Sequence, residues 1–113
     1  MNPTKFARDH NGASVGVAHW KWGSRQVITS SATSSRTSQV LSGHMVYVAP
    51  AANCHVRLGA SNVVAAENDP VLRAGAVYCF PRAVGETHVA VRTVESGVDG
   101  LVEVWEADSY REA

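Results

Sequence analysis

The chain has 113 residues, enough for one domain with a buried core. It carries 10 basic and 10 acidic side chains, and this balance argues against binding to nucleic acid or to an anionic membrane surface. No segment is apolar over the length that a bilayer requires, and the polar N-terminus lacks the apolar stretch of a secretory signal. We therefore expect a protein used in a reducing compartment or released by cell lysis.

Short runs of β-branched residues recur at about ten-residue spacing and are separated by Gly, Pro, Asn or Asp. No stretch of a dozen residues has the period of an amphipathic helix. The pattern predicts an all-β fold, an antiparallel β-sandwich or jelly roll of about eight strands. The predicted strands lie near residues 14–20, 26–32, 37–41, 45–49, 54–58, 77–80, 87–94 and 100–106.

The segments between these strands have their own signals. Residues 1–13 are polar and predict a flexible N-terminal arm that precedes a β-sandwich domain over residues 14–113. The longest connection, 60–76, is predicted to contain one helical turn that stops at Asp69-Pro70. The dipeptide Asp99-Gly100 predicts a tight hairpin between the last two strands.

Alternation within the strands predicts which side chains face the core. Cys54, Val56 and Leu58 share one face, whereas His55 points to the other. Neighbouring Cys54 and His55 therefore cannot form a nucleophile–base pair, because their side chains leave opposite faces. By the same reasoning Val102 and Val104 face inward, opposite a mixed face. Both cysteines, Cys54 and Cys79, are too few for a disulfide framework and are predicted to be reduced, buried thiols.

Sites for chemistry are sparse. The five histidines show none of the short spacings of local metal sites. Ligands from several strands could still converge, as in cupin-type barrels, but His55 and His88 are predicted to face outward. There is no G-x-S-x-G sequence and no glycine-rich phosphate loop. We therefore expect no catalytic residue, no metal site and no cofactor, and we expect that the chain is not an enzyme.

Aromatic residues are the conspicuous feature of residues 19–23, HWKWG. Trp20 and Trp22 are predicted to share one face of a strand, where they either close the end of the core or anchor a partner protein. Stacking on single-stranded nucleic acid or sugar would want a basic surround that is missing. Trp105, on the mixed face beside Glu103, is a second interface candidate. The predicted partner interface combines these tryptophans with the arm, namely Lys5, Phe6, Arg8, Trp20, Trp22 and Trp105.

A series of short motifs follows in order along the chain: SGHMVYVAP at 42–50, NCHVRLG at 53–59, DPVLRAG at 69–75, VYCF at 77–80, GETHVAV at 85–91 and GLVEVW at 100–105. With these motifs, the stretch from about Ser30 to Val104 resembles small all-β structural proteins of tailed bacteriophages. The first 25 residues, including HWKWG, lie outside the resemblance. It implies a sandwich or jelly roll that serves as a capsid cement or decoration protein, a head fibre or a tail adaptor.

The function expected from residues and resemblance together is a virion structural protein that decorates and stabilises the head shell. Its partners would be the major capsid protein or other virion proteins, and it would be a homo-oligomer, a dimer or trimer, assembled on the particle in the host cytoplasm. Several weak contacts would add up through multivalency. The alternatives are a tail or portal adaptor or fibre-base protein, a carbohydrate- or receptor-binding β-sandwich, and a small cupin-like enzyme.

Overall fold

The computed structural model describes residues 17–94 and 98–110, and within them the chain forms two antiparallel sheets and no helix. The predicted all-β class is therefore confirmed, and the arm predicted for residues 1–13 lies outside the described residues. The strands of the described part are β1 (Val17–Trp20), β2 (Gln26–Ser30), β3 (Ser35–Arg36), β4 (Met45–Pro50), β5 (Cys54–Gly59), β6 (Val71–Leu72), β7 (Tyr78–Pro81), β8 (His88–Thr93) and β9 (Gly100–Tyr110).

The larger sheet is organised around β9, its longest strand. β4 pairs with one side of β9, and β7 pairs with the far side of β4. Along the other side of β9 lie β1 and then β2, one after the other. The smaller sheet has the order β3-β8-β5-β6.

The core lies between the two sheets and is built mainly from valine. Val102 and Val104 are fully buried on the inner face of β9, as their alternation predicts. Each such side chain contributes about 1.5–3 kcal/mol by leaving water. The other buried members of the cluster are Leu41, Val46, Val48, Cys54, Val56, Leu72, Val89 and Val91.

The predicted hairpin between the last two strands is wrong. β8 pairs with β3 and β5, whereas β9 pairs with strands of the other sheet. The chain therefore crosses from one sheet to the other after Thr93. A tight-turn dipeptide signals a local reversal, but it does not tell which strand will be the hydrogen-bonding partner.

The strand predicted over residues 37–41 is also wrong, since the paired residues are Ser35 and Arg36. After them the chain keeps only isolated bonds to the neighbouring segment, from Thr37 N to Val89 O and from Leu41 N to Thr87 O. Thr37 and Leu41 are buried at these two points. Residues 37–41 therefore include the buried side chains that predict a strand, but they lack the continuous backbone hydrogen bonding of one.

The connection after β5 folds back over the outer face of the smaller sheet. It contains the two-residue strand β6 instead of the predicted helical turn. Val63 and Ala65 pack on Ala90 of β8, and Ala65 N donates to Ser34 Oγ at 2.9 Å. This loop makes the outer face of the smaller sheet a second, minor core.

The predicted exposure of two histidines on this face is wrong. His55 does leave β5 on the face opposite Cys54, but it is buried, and its Nδ1 lies 2.9 Å from the backbone oxygen of Asp69. His88 is buried as well, with its Nδ1 2.8 Å from Thr87 Oγ1. Alternation predicted the face of each histidine correctly, but it could not predict that other parts of the chain would bury these side chains.

The two cysteines differ in exposure, so the prediction that both are buried holds for Cys54 and is wrong for Cys79. Burial raises the pKa of the Cys54 thiol to about 11, so Cys54 is protonated and shielded near neutral pH. Cys79 leaves β7 on the outer face of the larger sheet.

A thiol reagent should therefore label one cysteine in the folded protein and the second only after unfolding. Mass spectrometry of the labelled peptides would assign Cys79 to the fast reaction, because only the exposed thiolate is accessible to the reagent. Rapid native-state labelling of Cys54 would contradict the buried position.

Candidate functional site

A five-residue bulge interrupts the strand that borders the larger sheet. β1 pairs with β9 as far as Trp20 opposite Ala107, and β2 resumes the pairing at Gln26 opposite Val104. Residues 21–25 therefore stand opposite only Trp105 and Glu106. Gly23, at a φ of +83°, makes the turn at the tip of the bulge, a conformation that favours glycine. The bulge pushes Trp22 out of the sheet.

Buried polar groups anchor the base of the bulge. Ser24 Oγ donates to Lys21 O at 2.6 Å and accepts from Glu106 N at 3.0 Å. The carboxylate of Glu106, which is almost fully buried, accepts from Ser42 N at 2.6 Å and from Gly43 N at 2.7 Å. The bulge is therefore tied to β9 and, through Glu106, to the segment before β4.

Position 43 requires glycine because β9 lies too close to its backbone for a side chain to fit. A Cβ at position 43 would lie 2.9 Å from the backbone oxygen of Ala107 and 3.1 Å from Cβ of Glu106. A backbone oxygen cannot move aside as the end of a flexible side chain can. The short hydrogen bonds of Glu106 thus depend on the missing side chain.

Four aromatic side chains meet on the outer face of the larger sheet, and we call them the aromatic surface: Trp20, Trp22, Tyr47 and Trp105. Trp20 is at its centre, in edge-to-face contact with each of the other three rings at centroid distances of 5.4–5.8 Å. Tyr47 and Trp105 stack in parallel at 5.5 Å. Contacts of this kind are worth about 0.5–1.5 kcal/mol each, so the rings hold one another in place.

The aromatic surface is open to solvent. Trp20 is 43% exposed and Trp22 79% exposed, and no described residue covers them. The interpretation in which these two tryptophans close the end of the core is therefore wrong, and the alternative, an anchor for a partner protein, stays a prediction. Trp22 also lies in the bulge and not on the strand, although its ring does reach the face that Trp20 occupies.

A cleft of about 370 Å³ opens between Trp22 and Trp105, with Trp20 among its walls. An ion pair borders it, because Arg25 Nη2 lies 3.2 Å from Glu103 Oε1. Farther along the same face, Val27 and Leu101 are exposed, the latter by 58%. The outer face therefore combines a large apolar area with an exposed ion pair.

One polar group on this face lacks a hydrogen-bond partner, and the pKa of one hydroxyl is shifted by its surroundings. Within the described part of the chain, the buried Nε1–H of Trp105 has no hydrogen-bond acceptor, which costs about 1–3 kcal/mol. Burial raises the pKa of Tyr47, and the neighbouring Cys79 raises it further, while a hydrogen bond with Trp20 lowers it. Polar groups that stay unsatisfied in the folded chain are typical of surfaces that serve a function.

The structure brings together three of the six predicted interface residues, Trp20, Trp22 and Trp105. Lys5, Phe6 and Arg8 lie outside the described residues. Sequence reasoning missed Tyr47, although alternation in residues 45–50 offered a signal. Val46 and Val48 are inward, so Tyr47 had to be on the outer face, where an aromatic ring is conspicuous.

Other kinds of site find less support in the described residues. Over 17–94 and 98–110, no three His, Cys, Asp or Glu side chains are grouped as metal ligands would be. In the same residues no helix has the length and apolar character needed to cross a membrane.

Comparison of the chain with models of protein families, with curated proteins and with solved structures gave no match. A function can therefore be proposed only from the aromatic surface and from the resemblance noted in the sequence.

Proposed function

We propose that the chain is a structural protein of a bacteriophage virion that decorates the head shell and stabilises it by binding other virion proteins. The observation that carries this proposal is the aromatic surface. Four aromatic rings lie on one sheet face, and two of the tryptophans are substantially exposed. Monomeric proteins rarely expose large contiguous apolar patches, and tryptophan is enriched where protein interfaces derive most of their energy.

The fold supports this function in a general way. Two packed antiparallel sheets form a rigid body that can present one face to a partner. The resemblance to small phage structural proteins adds the more specific expectation of a jelly roll and of a place on the head. A tail or portal adaptor, or a fibre base, would use the same surface at lower copy number.

A second candidate function is carbohydrate binding. The cleft beside Trp22 and Trp105 is within the size range of small-ligand sites, about 300–1,000 Å³. Arg25 and Glu103 would offer donors and an acceptor to hydroxyl groups. This candidate predicts saturable glycan binding that is lost on substitution of Trp22, with no need for a protein partner.

Shell binding would test the proposed function directly. Purified protein should co-sediment with phage heads that lack it, at hundreds of copies per particle if it decorates the shell and about a dozen or fewer if it belongs to the tail, given the symmetry of such particles. Deletion of residues 2–12 should weaken the binding sharply, because the predicted arm supplies Lys5, Phe6 and Arg8.

Two variants that should both remain folded make the test specific. Trp22→Ala should reduce shell affinity by about thirtyfold, as loss of an interface hot spot does. Val84→Ala, at a fully exposed loop position, should leave it unchanged. Val84→Ala should melt like the parent protein, and Trp22→Ala should lose only about 0.5–1.5 kcal/mol with its ring contact to Trp20. Equal binding by Trp22→Ala, the deletion variant and the parent would refute the proposal.

A further inference from the structure

The outer face of the larger sheet is mainly apolar, and the charges of Arg25 and Glu103 at the cleft compensate each other. Arg25 and Glu103 are paired with each other, and both are largely exposed. Lys21 also borders the cleft, but its Nζ donates to Ser42 Oγ at 2.7 Å. Around the ion pair lie exposed aliphatic side chains and the aromatic surface. A complementary partner would need an apolar face with one cation and one anion side by side.

A second copy of the chain offers such a face, because its own larger sheet carries the same apolar residues around Arg25 and Glu103. In a two-fold arrangement the same patch meets itself, so each residue contacts the symmetry mate of its counterpart. With the axis close to the ion pair, Arg25 of one copy faces Glu103 of the other. Two arginines and two carboxylates then form a network, which is worth more than an isolated exposed pair. The formal net charge of zero adds no long-range repulsion between copies.

The size of the face suits such a pairing. The sheet is four strands wide, about 15–20 Å, and its longest strand has 11 residues, a length of about 35 Å. Because β4 has six residues and β7 only four, the flat area of the sheet is about 450–500 Å², and the relief of the side chains raises the accessible area toward the roughly 800 Å² per partner of a stable interface. Edge-on contacts at either border of the sheet would bury much less.

We infer that the protein forms a symmetric dimer through the outer face of the larger sheet, with Arg25 of each copy opposite Glu103 of the other. This inference rests on the proposed function, because it names the partner of the surface that the proposal treats as an interface. In such a dimer the aromatic surface of each copy lies in the contact, so Trp22→Ala should weaken the dimer as well as the binding to the shell, which gains avidity from two linked copies.

Charge reversal tests the pairing without removing apolar surface. Sedimentation velocity of the parent protein over the micromolar range should show a dimer. Arg25→Glu and Glu103→Arg should each be monomeric, with dimer affinity lowered about tenfold or more, because each places like charges face to face. An equimolar mixture of the two variants should form a heterodimer, since the carboxylate introduced in one variant then meets the guanidinium introduced in the other across the axis.

The mixture separates contact between copies from a role within one chain, because neither variant can restore its own ion pair. Arg92→Glu is the matched control. It breaks an exposed ion pair of similar length, 3.3 Å to Glu67, on the smaller sheet, and should remain dimeric. Leu101→Asp, at an exposed position on the proposed interface, should be folded and monomeric.

A monomeric parent protein, dimers of Arg25→Glu as strong as those of the parent, or a mixture that stays monomeric would each overturn the inference. The result is independent of the shell experiment. A monomer that still binds shells would overturn the pairing and leave the proposed function intact. A dimer that ignores shells would refute the proposed function and support the pairing.

Discussion

Replacement of Glu106 by alanine should lower the free energy of unfolding by about 3 kcal/mol. The buried carboxylate accepts from Ser42 N and Gly43 N, and each backbone donor left without a partner costs about 1–3 kcal/mol. The variant also leaves a void between Gly43 and the base of the bulge. Urea unfolding followed by circular dichroism would measure the loss.

Two variants on the same strand show whether burial is the cause. Glu106→Gln keeps an acceptor oxygen at the same position and should lose only about 1 kcal/mol, since a neutral acceptor is weaker than a carboxylate. Glu103→Ala removes an exposed carboxylate and should lose about 0–1 kcal/mol. Equal costs for Glu106→Ala and Glu103→Ala would contradict the anchoring role of Glu106.

Replacement of Ala90 by lysine should destabilise the protein by about 3–4 kcal/mol. Ala90 is fully buried on the outer face of the smaller sheet, under Val63 and Ala65. A lysine there must either bury its charge or lift the loop away from the sheet, and both are costly. The amide hydrogens of residues 60–66 should also exchange faster in this variant, because the loop loses its packing.

Arg57→Ala is the matched control for this site. Arg57 pairs directly with Ala90 across β5 and β8, so its side chain leaves the same face of the sheet, but it is exposed and its ion pair with Asp69 is 3.7 Å long. We expect a change of about 0–1 kcal/mol. If Ala90→Lys is tolerated equally well, the loop does not cover this face.

The inner faces of the strands could be predicted from the sequence because their cause is local. A strand places alternate side chains on opposite faces, so the pattern in residues 54–58 identified Cys54 and Val56 as core residues. What lies over the other face is not local. The loop that covers His55 and Ala90 belongs to a connection whose path depends on the whole fold. The two-residue alternation therefore predicted which side chains share a face of a strand. It could not predict the minor core on the outer face of the smaller sheet.

Distance along the chain explains the partial success at the candidate site. The sequence marked Trp20 and Trp22 together and Trp105 separately, since 82 residues lie between Trp22 and Trp105 in the printed chain. Only the pairing of β1 and β4 with β9 brings these rings and Tyr47 into contact. The bulge was also invisible, because HWKWG alternates as a continuous strand would. The hairpin after β8 failed for a related reason: a dipeptide is a local signal and does not indicate which sheet the next strand will join.

The bulge at residues 21–25 also limits how copies of this protein can assemble. A long, regular border strand presents a row of backbone donors and acceptors on which further chains can stack without end. Here that border is broken after four residues at Trp20, and the opposite border, β7, has four residues and ends at Pro81, which has no N–H to donate. Growth into fibrils is therefore disfavoured at both borders of the larger sheet, and the dimer that we propose uses the broad face, where a two-fold contact saturates at two chains.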